Sequence, residues 1–198
     1  MREQNNFQQV IRKDLFIQYK EELIMAYISL VNYDTASEEV RKEIDYQVKE
    51  HGRITNMKLT LLHSLPAYHA LMEWFPLEAT IKEFLGERAV NFFCYAISTE
   101  NDCLLCGRFF HKILVDNNID FENFDFTEEE KILVDYGRAI VKDANNIPAE
   151  LFEKLKSHWN EEQIVAITAF ATIMIATNII NKSLDVELDD YLVPYTNR

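Results

Sequence analysis

Glycine and proline are scarce in this sequence, with four of each among 198 residues. A β-rich fold needs many tight turns, and such turns are built largely from these two residue types. Their shortage argues against β-sheet and predicts an all-α fold. Hydrophobic residues make up 48% of the chain, which is enough for a sizeable core, and the length predicts one domain over residues 1–198.

Positive charge is also in short supply, because 20 lysines and arginines stand against 33 aspartates and glutamates. A formal net charge of −13 repels phosphate backbones, so we expect no nucleic-acid partner. The first residues, MREQNNFQQVIRKDLF, lack the apolar segment and cleavage site of a secretory signal. We therefore expect the protein to be cytoplasmic.

The longest uncharged run extends from Gln163 to Asn181 and is about as long as a membrane span. It contains glutamine, three threonines and two asparagines, and basic residues do not flank it on one side. We interpret it as a buried core helix and expect no membrane association.

Apolar residues recur with helical periodicity along the chain, and capping residues separate the segments. One predicted helix follows the Thr-Ala-Ser cap and stops at Gly52; another begins at the N-cap Thr127 with Glu130 at its third position. The remaining predicted helices are Phe7 to Val31, Thr55 to Trp74 with a bend near Pro66, Pro76 to Leu85, Glu87 to Ser98, Cys103 to Asn117, Pro148 to His158 and Glu161 to Asn181.

The segment NDCLLCGRFFHK carries the most chemistry, because it places Cys103 and Cys106 one turn apart at a predicted helix start. A helix N-terminus favours a thiolate, and two thiols on one face can form a disulfide and act as a redox pair. Two inert buried thiols would show the same spacing. Zinc is a further alternative with His111 as a third ligand, but the usual fourth ligand is missing, so we expect no metal. Cys94 lies in an apolar helix and is expected only to pack.

The chain resembles the carboxymuconolactone decarboxylase and alkylhydroperoxidase-D-like superfamily. The resemblance covers Arg53 to Asp190 and rests on RITNMKLTLLHSLPAYHALMEW, on NDCLLC and on the pattern from FTEEEKILVDYGRAI onward. It implies a helical bundle of that type, a homo-oligomer, and reduction of organic hydroperoxides through an internal disulfide. Cys106 matches the attacking thiol and Cys103 the resolving thiol. An external dithiol would act as reductant, and no bound cofactor is expected.

The chain departs from the family pattern at two positions that handle protons. Asn91 stands twelve residues before Cys103, where the family has a glutamate, and Phe110 stands where it has a histidine. An amide cannot take a proton from a thiol. Glu87 and Glu100 are possible substitutes, although each fits a solvated surface carboxylate better.

Two histidines are the proton-handling candidates that we name for this site. His111 follows Phe110 and is rotated away from the thiols on a regular helix, and His63 lies in the LLHS segment that resembles the family. Each could equally have a structural role. A rival interpretation is a non-redox family member, either a lactone decarboxylase-type lyase or a small-molecule-binding helical oligomer.

Overall fold

The structure, a computed structural model, describes residues 26–195. This part of the chain contains nine α-helices and no strand, which confirms the all-α prediction. The helices are α1 (Glu38–His51), α2 (Asn56–Leu61), α3 (Leu65–Met72), α4 (Trp74–Leu85), α5 (Glu87–Glu100), α6 (Leu104–Asp116), α7 (Glu128–Asp143), α8 (Ala149–His158) and α9 (Glu161–Ser183). Short 3₁₀ turns occupy Tyr33–Thr35, Phe121–Asn123 and Asp190–Tyr195.

Local capping chemistry sets the ends of several helices as the sequence predicted. The Ser37 side chain accepts the Val40 N–H at the start of α1, and Gly52 ends that helix with a left-handed φ of 73°. At α7, the Thr127 side chain accepts the Glu130 N–H while the Glu130 carboxylate accepts the Thr127 N–H. This reciprocal pair is the predicted capping box.

The predicted helix from Thr55 to Trp74 is interrupted rather than bent. It ends after α2, and α3 begins at Leu65 with Pro66 in its first turn. Proline is tolerated there because its missing N–H would have no partner in the helix. The intervening backbone forms a turn in which Ser64 N–H donates to Leu61 O at 2.9 Å.

The predicted first helix, Phe7 to Val31, lies largely outside the described residues. Its described end, residues 26–31, is not helical. The backbone N–H groups of Tyr27 and Val31 instead donate to Leu184 O at 3.1 Å and to Leu59 O at 3.3 Å. These bonds to distant segments take the place of the helical pattern.

Helix α5 runs through the core, and every residue from Ala89 to Ser98 is buried. Helix α7 packs directly across it at Gly137, where an added Cβ would lie 2.8 Å from the Ile97 side chain and 2.9 Å from the Phe93 ring. A glycine is therefore needed for this close approach of two helices. The contact fixes α5, which leads into the segment with the cysteines.

Helix α9 is long and apolar enough to cross a membrane by length and composition alone. In the described structure, its Ile167, Phe170 and Ala171 side chains are fully buried in the main hydrophobic cluster. Its last two turns carry buried polar residues, namely Thr177, Asn178 and Asn181. These residues bring α9 to the thiol pair.

Candidate active site

The two cysteines lie where the chain passes from α5 to α6. Asp102 adopts a left-handed φ of 51° in the connecting turn. Cys103 is the N-cap of α6, so its backbone is extended rather than helical, and the predicted helix starts one residue later than expected. The Cys103 N–H donates to Ser98 O at 2.9 Å, and Cys103 O accepts the Gly107 N–H at 2.8 Å. The turn is thereby tied to both helices.

The two side chains are buried, with 3% of Cys103 and 4% of Cys106 exposed, and they are hydrogen-bonded to each other. The Cys106 thiol donates to Cys103 and lowers the Cys103 pKa to about 7, against the opposing effect of burial. The backbone N–H groups of Cys106 and Leu105 and the positive charge of Lys182 act in the same direction. The first turn of α6 thus stabilises a thiolate on Cys103.

The pKa of Cys106 is raised well above its ordinary value by the interaction with Cys103 and by burial. Above about pH 7, the pair therefore favours one proton on Cys106 and one negative charge on Cys103. The Asn181 side chain donates its Nδ2–H to Cys106 Sγ at 3.2 Å, which favours the charged form of that sulfur.

The end of α9 supports the same site from a second direction. Lys182 Nζ donates to Asn101 O at 2.7 Å and so holds its ammonium near the turn that precedes Cys103. Ser98 Oγ donates to Asn178 Oδ1 at 3.5 Å, one helical turn away from Asn181. The cysteine turn therefore packs against the C-terminal turns of α9, with Asn178 and Asn181 buried and Lys182 exposed at the surface.

Cys106 also lines a cavity of about 140 Å³, whereas Cys103 does not. Most of the lining is apolar or aromatic. Its ionisable side chains are Lys58 and Asp189, in addition to Cys106 and Tyr191. The lining residues are Thr55, Met57, Lys58, Leu71, Met72, Trp74, Phe75, Leu105, Cys106, Phe109, Phe110, Met174, Thr177, Asp189 and Tyr191. Cys106 is thus the cysteine that a molecule in the cavity would meet.

Lys58 is a buried cation in this cavity, with 7% of its surface exposed. Its Nζ donates to the Gln47 side-chain carbonyl and lies 4.8 Å from the centre of the Phe75 ring. Gln47 in turn donates to the Tyr68 hydroxyl at 2.8 Å. Burial lowers the Lys58 pKa from 10.5 to about 8, so the ammonium form still predominates at pH 7.

Asp189 is the second buried ionisable group of the lining. Its Oδ1 accepts the Asn56 N–H at 2.9 Å, and its Oδ2 is buried without a hydrogen-bond partner in the described structure. Burial raises the Asp189 pKa, while the Asn56 N–H and the Arg53 charge lower it. Burial and the Asp189 charge also raise the pKa of Tyr191 to about 12, so this phenol stays neutral.

The structure brings Cys103 and Cys106 together, but it does not place either predicted histidine on the cavity. His111 is half-buried and stacks on Tyr95, with ring centres 6.0 Å apart. His63 is exposed, and its Nε2 lies 2.7 Å from Ser29 O. Phe110, the residue that replaces the family histidine, does line the cavity.

The carboxylates considered as substitutes form ion pairs with other side chains. Glu87 is exposed and lies 3.7 Å from Lys82 Nζ, and Glu100 lies 3.6 Å from Lys142 Nζ. Asn91 is buried and lines a separate cavity that does not include either cysteine of the pair. Within residues 26–195, no cluster of three or more His, Cys, Asp or Glu side chains forms a metal site.

Sequence reasoning missed Asn181, Lys58 and Asp189. The signal for Asn181 was available, since Asn178 and Asn181 are spaced for one face of an otherwise apolar helix. A polar pair in that position has to be buried and hydrogen-bonded. Lys58 and Asp189 carry no comparable signal, because a single lysine or aspartate between polar neighbours is typical of a surface.

Several solved structures are similar to this chain in fold. A peroxidase-related protein from Ralstonia eutropha JMP134, described as an alkylhydroperoxidase AhpD core, matches with a TM-score of 0.68 and 16% identity over 85% of this chain and 95% of its own. The chain has the AhpD-like fold. A peroxidase-related protein from Silicibacter sp. TM1040 matches with a TM-score of 0.66 and 14% identity, over 84% of this chain and 93% of its own.

A third structure with this AhpD-like fold is a debrominase in its apo form. It matches with a TM-score of 0.68 and 16% identity, over 85% of this chain and 95% of its own. No protein-family model and no curated protein sequence matches the chain. The comparisons therefore confirm the predicted fold, and the names of the neighbours indicate that proteins with this fold include enzymes.

Proposed function

We propose that the protein reduces hydroperoxides with its two cysteines, which pass through an internal disulfide. One observation carries this proposal: Cys103 and Cys106 form a hydrogen-bonded pair with one acidified thiol, and Cys106 lines an apolar cavity. A pair of inert buried thiols would have no acidified member. The peroxidase-related names of two structural neighbours agree with this chemistry.

In the first step, the Cys103 thiolate takes the proton of the Cys106 thiol along their hydrogen bond. Cys106 then carries the charge, which the Asn181 amide stabilises by its N–H bond to Sγ. The Cys106 sulfur attacks the terminal oxygen of the hydroperoxide, and the O–O bond breaks. The Cys103 proton goes to the departing alkoxide, which leaves as an alcohol.

In the second step, the Cys103 thiolate attacks the Cys106 sulfenic acid. A disulfide forms, and hydroxide leaves and is protonated to water. The sum consumes two thiols and one hydroperoxide and yields one disulfide, one alcohol and one water. An external dithiol, a protein or a small molecule, restores the pair by thiol–disulfide exchange. A reducing compartment such as the cytoplasm keeps such a reductant available. We also propose that the protein forms a homo-oligomer.

Asn91 stands where the family has a glutamate, and its amide cannot accept a proton. This scheme therefore assigns the role of proton acceptor to Cys103. His111 and His63 stay predictions for the same role, and His111→Gln and His63→Gln are the variants that test them. If Cys103 accepts the proton, both variants keep the rate of peroxide turnover and its pH profile between pH 5 and 9. A shifted profile in either variant would assign the role to that histidine.

The decisive experiment counts free thiols before and after one equivalent of cumene hydroperoxide is added to the reduced protein. We expect a loss of two thiols per chain in the wild type and in Cys94→Ala, the matched control. Cys106→Ser should lose none. Cys103→Ser, which lacks the proposed proton acceptor, should form a sulfenic acid on Cys106 slowly, and dimedone should trap it. An unchanged thiol count in the wild type would favour the non-redox alternative, a lyase or a binding protein.

A second candidate is reductive removal of bromine, which the name of one structural neighbour suggests. The cavity volume of about 140 Å³ accommodates one aromatic ring. In this reaction, the two thiols would be oxidised to the disulfide while a carbon–bromine bond is replaced by carbon–hydrogen and bromide leaves. The same thiol count with a brominated phenol instead of the hydroperoxide, together with bromide release, distinguishes the two substrates.

A further inference from the structure

Lys58 is a buried ammonium group whose hydrogen bonding is incomplete. An ammonium group has three N–H donors, and the described structure gives Nζ one acceptor, the neutral carbonyl of Gln47. The Phe75 ring adds a cation–π contact. No carboxylate of residues 26–195 comes within ion-pair distance of this ammonium. A buried charge of this kind is costly unless an opposite charge compensates it.

Asp189 lines the same cavity but does not compensate Lys58. Its carboxylate accepts the Asn56 N–H at the start of α2, and Arg53 is the cation that lowers its pKa. Asp189 does not contribute to the pKa of Lys58, which burial alone lowers. Asn56 and Arg53 therefore compensate the acid in part, whereas the cation has no charged partner among the described residues.

The rest of the lining defines what kind of anion would fit. Methionine, leucine and aromatic side chains form most of the wall, and they favour an apolar body. A cavity of about 150 Å³ with similar walls holds one benzene molecule, and this cavity measures about 140 Å³. Both Lys58 and Cys106 line it, so a molecule in this cavity has access to both groups.

We propose that the cavity binds a small organic acid, with the carboxylate on the Lys58 ammonium and an apolar body of about one aromatic ring toward Cys106. This inference rests on the proposed function where it names the substrate class, a hydroperoxide that carries a carboxylate. The binding itself does not depend on any reaction. At pH 7 the ammonium is protonated and matches a carboxylate in both charge and hydrogen bonding.

Binding of benzoate and of benzamide to the reduced full-length protein, without peroxide, tests the inference by isothermal titration. The two probes have the same ring and nearly the same shape, but only benzoate is charged. We expect benzoate to bind about ten- to hundredfold more tightly, the range of a buried charge-assisted hydrogen bond. Lys58→Met should remove this preference by weakening benzoate binding far more than benzamide binding, whereas Lys154→Met, at an exposed site, should change neither.

Equal affinity for the two probes in the wild type, or tight benzoate binding by Lys58→Met, would overturn the inference. The wild-type comparison decides the question even if the variant fails to fold. Asp189→Asn keeps the acceptor for Asn56 and removes a negative charge, so it should strengthen benzoate binding or leave it unchanged. A protein that binds benzoate but consumes no peroxide would refute the proposed function alone. One that consumes peroxide but prefers benzamide would refute this inference alone.

Discussion

Replacing Lys58 by methionine should stabilise the protein at neutral pH. The wild-type side chain keeps a positive charge inside an apolar cavity, and methionine fills a similar volume without a charge. Its flexible thioether can follow the lysine stem across the Phe75 ring. The substitution removes a charge whose burial is unfavourable, so Lys58→Met should gain stability although the residue lies in the core.

The size of the effect follows from the Lys58 pKa. A decrease from 10.5 to about 8 corresponds to about 3 kcal/mol at about 1.4 kcal/mol per pH unit. Loss of the donor to Gln47 offsets about 1 kcal/mol, which leaves a gain of about 2 kcal/mol. Because the folded-state pKa is depressed, the unfolded chain holds more protons between pH 8 and 10.5, and wild-type stability rises across this window. The gain should therefore shrink to about zero by pH 9.5.

Urea unfolding of the reduced wild type and variant at pH 6.5 and 9.5 measures this difference. Comparing the two proteins at each pH cancels the titration of tyrosines, cysteines and other lysines. Lys154→Met is the control, and as an exposed substitution it should stay within about 0.5 kcal/mol of the wild type at both values. A Lys58→Met protein that is no more stable at pH 6.5, with a difference that does not change with pH, would refute the reasoning.

Four further outcomes follow from the packing and from the thiol pair. Gly137→Ala should lower the free energy of unfolding by about 1–3 kcal/mol because its Cβ would overlap side chains of α5, as thermal unfolding will show. Cys94→Ala should keep full peroxide turnover, since burial raises its pKa and holds it as a neutral thiol. Alkylation rates measured against pH should show one thiol that titrates near pH 7, and this titration should be absent from Cys103→Ser. Alkylation that occurs only above about pH 8.5 would contradict the lowered pKa of Cys103. Asn181→Leu should slow the attack by Cys106 about tenfold in stopped-flow assays, while an unchanged rate would exclude the amide from the mechanism.

Most of the fold could be predicted because the signals are local. Thr127 and Glu130 form their capping box from residues three apart, and Gly52 ends α1 through its own φ. Pro66 correctly indicated an irregularity in the predicted helix from Thr55 to Trp74. Whether a proline bends a helix or lies in the first turn of a new one depends on where the preceding helix ends. The prediction that the first helix continues to Val31 was wrong for a non-local reason, because the Val31 N–H donates to the distant Leu59 O.

The thiol pair could be predicted from the sequence for the same local reason, since one helical turn connects its members. The contacts that determine the protonation of the pair could not be predicted from the sequence. The Asn181 amide reaches Cys106 from a helix 75 residues further along the chain, and the Lys182 charge acts on Cys103 from the same helix. Periodicity shows that a helix has a buried face, but not which other helix that face meets. A buried lysine is also indistinguishable in sequence from the exposed Lys154, because only the packing around Phe75 and Gln47 removes its water. The sequence can indicate that Asn181 is a buried polar residue, but only tertiary contacts show that it reaches Cys106 and that Lys58 lines the cavity. These two positions are where substitutions will be most informative.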